Sequence, residues 1–269
     1  MIIESRNNPK IKFLDKLKKR SSRERYKVYL IEGQRELIRA FECELLLEVY
    51  FCQKLFTNNE FYNLQKRLSL ANIPLIELGE QAYQKISVRE NGDGLIGLGK
   101  PFTRSLKDIR PNHNYLVIAT ENLEKPSNLG AIIRTAESAN ADAVVVLDSS
   151  TDVYNHNAIR SSQGAIFSVP IILCDSTAYC EFCKTNGIKI LATSPGAHRL
   201  YWDENLKNNL TIVVGNEANG LSNFWLNQKN STSIRIPQLG RSDSLNVSAA
   251  TAVVIYEALR QRHQNLPYH

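Results

Sequence analysis

Three short stretches of the chain gather side chains that could position a reaction. The first is Pro126-Ser127-Asn128-Leu129-Gly130-Ala131-Ile132-Ile133-Arg134. Pro126 and Ser127 suit a helix start, and Asn128 and Arg134, just under two turns on, are near enough to one helical face to address one pocket. An arginine on such a helix is equally an ordinary surface charge. In the second, Leu210-Thr211-Ile212-Val213-Val214 runs into Gly215-Asn216-Glu217-Ala218-Asn219-Gly220. A glycine there lets a ligand or another backbone approach closely, although a plain strand-to-turn ending reads the same way. The third is Ile236-Pro237-Gln238-Leu239-Gly240-Arg241-Ser242-Asp243-Ser244-Leu245-Asn246-Val247-Ser248. Helix capping uses one or two polar side chains, whereas Ser242, Asp243, Ser244, Asn246 and Ser248 crowd together here, a surplus that a ligand would use.

Other chemistries find no support. Cys180-Glu181-Phe182-Cys183 lacks a second cysteine pair or a histidine at metal-ligand spacing, so it reads as packing. The histidines are scattered, with no Ser or Cys nucleophile set among them. There is no Gly-x-x-x-x-Gly-Lys phosphate loop and no Gly-x-Gly-x-x-Gly after the first strand of the second half.

The elements that must hold these stretches alternate. Tyr115–Thr120, Ala143–Leu147, Val169–Leu173, Ile188–Thr193, Leu210–Gly215 and Ile234–Pro237 are short, Val- and Ile-rich strand candidates with helical patterns between most of them. That order predicts a mainly parallel sheet covered on both faces, with the three stretches at its C-terminal edge. Asn140 follows the helix that starts at Pro126 and suits the left-handed position beyond a helix end. The last helix spans about Val247–Arg262. Before a polar, proline-bearing break at 101–112, the first hundred residues read as a compact α/β unit. Its pattern is helical from Asn8, with strands at Tyr29–Ile31, Leu46–Phe51, Pro74–Leu78 and Leu95–Leu98.

Charge singles out the N-terminus. The chain carries a formal net charge of +6, and residues 1–40 hold 12 Lys and Arg against 5 Asp and Glu. The rest is nearly balanced. A cluster containing Lys10, Lys12, Lys16, Lys18, Lys19, Arg20, Arg23 and Arg25 fits a polyanion such as RNA, or a solvated basic helix. No apolar run reaches membrane-spanning length, no secretory signal opens the chain, and 5 cysteines in an odd count argue for a reducing compartment, hence the cytoplasm.

Taken in order and at this spacing, the three stretches resemble the SpoU (TrmH-like) family of RNA 2′-O-ribose methyltransferases in the SPOUT superfamily. Asn128-x-Gly130-x-x-x-Arg134, Gly215-x-Glu217-x-x-Gly220 and Ile236-Pro237 through Ser244-Leu245-Asn246-Val247-Ser248 match its three motifs over roughly residues 113–263. Residues 1–100 are similar to its substrate-binding module of the ribosomal-protein L30e type, through Asn8-Pro9-Lys10-Ile11-Lys12 and Ile31-Glu32-Gly33. Gln238-Leu239 departs from the methionine and small residue often found there.

The resemblance implies an α/β fold with an N-terminal L30e-like domain (1–100), a linker (101–112) and a SPOUT methyltransferase domain (113–269) closed by a deep trefoil knot. It implies S-adenosylmethionine as cofactor, no metal, and a homodimer in which the partner completes each site and the last helix is a candidate interface. Carried over by position, Gly215, Ile236 and Leu245 contact the cofactor through backbone, with Thr193, Ser194, Asn216 and Gln238 nearby. Asn128, Arg134, Glu217, Ser244 and Asn246 form the catalytic set. In that set Arg134 acts as base or, since a guanidinium stays protonated, as anchor for a phosphate and a developing alkoxide. The expected substrate is structured RNA, ribosomal RNA over transfer RNA. The competing readings are a knotted RNA base methyltransferase and a non-enzymatic ribosome-binding or assembly factor.

Overall fold

The structure, a computed structural model, describes residues 2–55, 60–90, 92–111, 114–148, 151–241 and 244–263. Ser242 and Asp243 of the third stretch, and Asn112 of the expected linker, lie outside the described residues.

The first half runs α1 (Pro9–Lys16), α2 (Arg20–Tyr26), β1 (Tyr29–Glu32), α3 (Gln34–Glu42), β2 (Leu46–Phe51), α4 (Glu60–Leu70), β3 (Leu75–Glu77), α5 (Glu80–Ile86) and β4 (Leu95–Gly99). Asn8 starts α1: its side chain accepts from the Lys10 backbone N–H at 2.8 Å, and Pro9 occupies the first helical position, where its missing N–H costs nothing. Lys27, at φ 53°, stops α2 in the left-handed region. The strands form a four-stranded sheet in the order β1-β4-β2-β3, over a core that includes Ile11, Leu14, Leu17, Tyr50, Ala82 and Ile96.

The second half runs β5 (Leu116–Glu121), α6 (Pro126–Ser138), β6 (Ala143–Leu147), α7 (His156–Ser162), α8 (Ala165–Ser168), β7 (Ile171–Cys174), α9 (Ser176–Thr185), β8 (Lys189–Thr193), β9 (Arg199–Leu200), β10 (Leu210–Val214), α10 (Asn223–Leu226), β11 (Ser231–Arg235) and α11 (Val247–Arg262). Its sheet has the order β7-β6-β5-β10-β8-β11-β9, and every neighbouring pair is parallel. The central strands β5, β6 and β10 are buried along their whole length, which is why they are predominantly apolar, with Thr120, Glu121 and Thr211 the polar exceptions. Asn140 takes φ 50°, and the Ala141 N–H closes back to the Ala136 carbonyl at 2.9 Å, sealing the end of α6. The last strand starts three residues and ends two residues earlier in the chain than the Ile234–Pro237 pattern indicates. Ser231, Thr232 and Ser233 join the ladder beside β8 because its other side faces only the two-residue β9.

The chain divides into two compact units, Met1–Phe102 with Asp152–Ser168, and Thr103–Thr151 with Val169–His269. The run from Asp152 to Ser168, which the sequence pattern assigns to the second domain, therefore belongs with the first unit. There Tyr154 and Phe167 pack against Phe102 at ring separations of 4.9 and 5.5 Å, with Tyr29 alongside. Arg23 also joins this segment. Its side chain is 6% exposed, pairs with Asp152 and donates to the carbonyls of Leu17 at 2.6 Å and Lys18 at 2.7 Å. Arg23 is thus a buried structural cation and is withdrawn from the expected RNA-binding set.

Candidate active site

The C-terminal ends of β8, β10 and β11 open onto a cavity of about 530 Å3, and segments from all three motif stretches line it. Asn128, Gly215, Asn216, Glu217, Ile236, Gln238, Ser244, Leu245 and Asn246 are in its wall, together with Thr193 and Ser194 from the end of β8. Arg134 is not. Six residues along a helix turn a side chain through about 600°, so Asn128 and Arg134 point about 120° apart. Asn128 is 8% exposed on the inner side of α6, while Arg134 is exposed and its guanidinium makes no hydrogen bond or ion pair among the described residues. The expectation that the two share one face is corrected.

One chain of hydrogen bonds joins the three stretches. The Asn246 amide donates to Asn128 Oδ1 at 3.3 Å, and the Asn128 amide donates to Glu217 Oε1 at 2.7 Å. Glu217 also accepts the backbone N–H groups of Glu124 at 2.8 Å and Lys125 at 3.2 Å, at the entry to α6. Asn246 caps α11, its Oδ1 receiving the Ser248 N–H at 2.9 Å. Burial alone would raise the Glu217 pKa, but the donors from Glu124, Asn128 and Lys125 outweigh it and hold the carboxyl below the usual glutamate value. Glu217 is therefore an ionised clamp on the start of α6, with its lone pairs already engaged by protein donors.

Asn216 is committed in the same way. Its amide donates to the Asn122 carbonyl at 2.9 Å and to Glu124 Oε1 at 3.1 Å, and its Oδ1 accepts from the N–H groups of Ala218 and Asn219. The loop closes on itself through Asn216 and Gly220, bonded N–H to carbonyl in both directions at 3.1 and 2.9 Å. That closure explains Gly215: a Cβ there would stand 2.3 Å from the Gly220 carbonyl carbon. The close approach read from the sequence is made by backbone.

The opposite wall is less committed. Thr193 donates to the Val213 carbonyl at 3.0 Å, and the Ser194 N–H bonds the Ile234 carbonyl at 2.9 Å. Ser244 and Leu245 are exposed at the rim. Lys125 and Arg235 also line the cavity, and neither stands out in the sequence. The available signal for Arg235 is its position, a cation immediately before Ile236-Pro237 at a sheet edge.

Among the N-terminal cations, Lys10 pairs with Glu48 at 2.7 Å, Lys18 with Asp15 at 3.1 Å and Arg20 with Glu24 at 2.8 Å. Lys12, Lys16 and Lys19 are exposed, and the exposed Arg25 lies over the Tyr26 ring at 5.3 Å. Cys180 and Cys183 are free thiols, and burial beside Tyr179 pushes Cys183 up to about 12, far from thiolate chemistry. Among the described residues, no three His, Cys, Asp or Glu side chains stand together as a metal site.

A parallel sheet carrying such a cavity at its C-terminal edge is the architecture of an α/β enzyme. Residues 115–256 match the SpoU rRNA Methylase family, and residues 8–97 match the MRM3-like substrate binding domain. The chain belongs to the SpoU rRNA methylase family. It is 27% identical over 254 residues to the 23S rRNA (guanosine(2553)-2′-O)-methyltransferase RlmP of Bacillus subtilis, covering 94% of this chain and 97% of that one. It is 28% identical to the 23S rRNA (uridine(2479)-2′-O)-methyltransferase of Streptomyces viridochromogenes, covering 87% and 75% of the two chains. The crystal structure of an RNA 2′-O ribose methyltransferase superposes with a TM-score of 0.84 at 38% identity, covering 97% of this chain and 99% of that one. An AdoMet-bound rRNA methyltransferase from Sinorhizobium meliloti shares the fold, with a TM-score of 0.88 at 24% identity over 99% of each chain.

Proposed function

We propose that this protein transfers the methyl group of S-adenosylmethionine to a ribose 2′-hydroxyl of ribosomal RNA. The observation that carries this reading is the convergence of three stretches far apart in sequence on one cavity at the sheet edge, in a chain of the SpoU family. The volume suits a small-molecule cofactor, and the wall offers what such a ligand uses, apolar surface from Leu226, Ile236 and Val254 beside backbone and amide groups. When bound, the cofactor supplies an electrophilic methyl group on a sulfonium centre. Gly215, Ile236 and Leu245 would hold it through main chain, with Thr193, Ser194, Asn216 and Gln238 around it. The deep trefoil knot implied by the resemblance would be closed by these cavity loops.

Asn128, Glu217 and Asn246 act here as positioning residues, because their hydrogen-bonding groups serve one another and the start of α6. Glu217, held ionised by three donors, is a poor proton acceptor. Stabilising the 2′-oxygen as it loses its proton then falls to a fixed cation, and Arg134 is the motif residue of that charge. Since Arg134 lies outside the cavity of its own chain, a second copy is needed to bring an equivalent arginine to each site. Homodimerisation is therefore part of the proposal, with the exposed Tyr256 of α11 on the candidate interface. The acceptor RNA would be drawn by Lys12, Lys16, Lys19 and Arg25. The 23S rRNA substrates of the two relatives favour ribosomal over transfer RNA.

A base methyltransferase would need a carboxylate free to face a base nitrogen, and Glu217, the one acidic residue in the cavity wall among the described residues, is engaged. An assembly factor without activity would have no use for the cofactor. The test is transfer of labelled methyl from S-adenosylmethionine to ribosomal RNA, with 2′-O-methyl sites mapped with and without the protein. One protein-dependent ribose site is expected. Failure of the protein to bind S-adenosylmethionine would refute the reading.

A further inference from the structure

Arg235 ends β11, one residue beyond the Ile234–Thr193 pairing and beside Ser194, and it lines the cavity. Its Nε is out of contact with solvent and has no hydrogen-bond partner among the described residues. No ion pair engages its guanidinium there either. A guanidinium carries five donors and is always charged, so leaving it unpaired at a partly closed site is costly unless an anion completes it. Among the described residues, the one carboxylate in the cavity wall, Glu217, already accepts the N–H groups of Glu124 and Lys125 and the Asn128 amide.

The ligand of the proposed reaction narrows what that anion is. S-adenosylmethionine carries positive charge on its sulfonium and its amine and a single negative charge on its carboxylate. A free arginine in the cavity would repel this ligand unless it met the carboxylate. Arginine is the side chain whose planar fork matches a carboxylate with two parallel hydrogen bonds. We propose, resting on the methyltransferase reading, that Arg235 is the recognition residue for the α-carboxylate of the cofactor's methionine tail. It would orient the ligand by its anionic end, with the adenosine and methyl group left to the other walls. A phosphate of the RNA is the competing anion, and the experiment distinguishes the two.

The ligands to compare are S-adenosylhomocysteine and 5′-methylthioadenosine. Both present a neutral thioether on adenosine, and only the first carries the amino-acid tail. Titration calorimetry on the full chain would measure both against wild type, Arg235→Ala and Arg235→Lys. Arg235→Ala is expected to weaken S-adenosylhomocysteine at least tenfold and to leave 5′-methylthioadenosine within twofold. Arg235→Lys, which keeps charge but loses the fork, is expected to fall between. Equal losses for both ligands would show a structural role and overturn the proposal. An unchanged S-adenosylhomocysteine affinity with weakened binding of ribosomal RNA would overturn it in favour of phosphate. If wild type bound neither adenosyl ligand, the methyltransferase reading itself would fall. If wild type bound the two ligands equally well, only the role of Arg235 would.

Discussion

The two walls of the cavity use polar groups in opposite ways. Around the start of α6, Asn128, Glu217 and Asn246 donate to and accept from one another and the nearby backbone. At the end of β11, the Arg235 guanidinium has no protein partner among the described residues. The first wall is complete without a ligand and the second is not. A satisfied cluster fixes geometry, whereas an unsatisfied cation waits for charge, so the residues best placed to bind are those the protein leaves unpaired. The first unit repeats the contrast among its basic residues. Arg23 is consumed by Asp152 and two carbonyls, while Lys12, Lys16 and Lys19, a few residues away, face water.

That contrast can be broken by substitution. The largest stability loss is expected for Arg23→Ala, which strands the Asp152 carboxylate and frees two carbonyls; removing one partner of a buried pair costs about 3–5 kcal/mol. Thermal or urea unfolding would check it, and a loss below about 1 kcal/mol would place Arg23 with the surface cations. Gly215→Ala pushes a methyl group into the Gly220 backbone and is expected to cost about 3 kcal/mol, because backbone cannot swing aside as a side chain can.

Glu217→Gln exchanges one acceptor oxygen for a donor facing N–H groups, and a loss of about 2 kcal/mol at neutral pH is expected. Because the folded carboxyl titrates below its ordinary value of 4.5, its contribution is full above that value and fades as pH falls through the lower, folded one. Wild type and variant should therefore converge in stability as pH falls below 4.5 and through the lower folded value in chemical denaturation. A gap that persisted into acid would mean that the charge is not what matters. Asn246→Ala removes the α11 cap and the link to Asn128, for about 1 kcal/mol. Arg134→Ala is expected to move stability by less than about 0.5 kcal/mol, as an exposed and unpaired side chain should. The same change is expected to abolish methyl transfer, and near wild-type transfer by this variant would remove Arg134 from the site.

Much of the fold was legible because its signals are local. β2, β6 and α11 fall on the expected spans, and the Val- and Ile-rich stretches of β5, β6 and β10 give away a sheet buried on both faces. The helix cap at Asn8 and the left-handed Asn140 are also written in short-range chemistry. The two-residue β9 and the partition of Asp152–Ser168 with the first unit have no such signal. A short edge strand is defined by its neighbour, and a packing partner by contacts far away in the chain.

By itself the sequence determined which residue types gather at which spacing, and through the motif resemblance it determined the chemistry those types serve. Only the tertiary structure decided how each of them is used. It turned Glu217 into a clamp, made Gly215 a seat for backbone, set Arg134 outside its own cavity and left the Arg235 guanidinium without a partner among the described residues. The physical reason is that a side chain's role depends on which donors and acceptors surround it. In the cavity those come from segments about 90 and 120 residues apart, such as Asn128 with Glu217 and with Asn246, which no local pattern can pair.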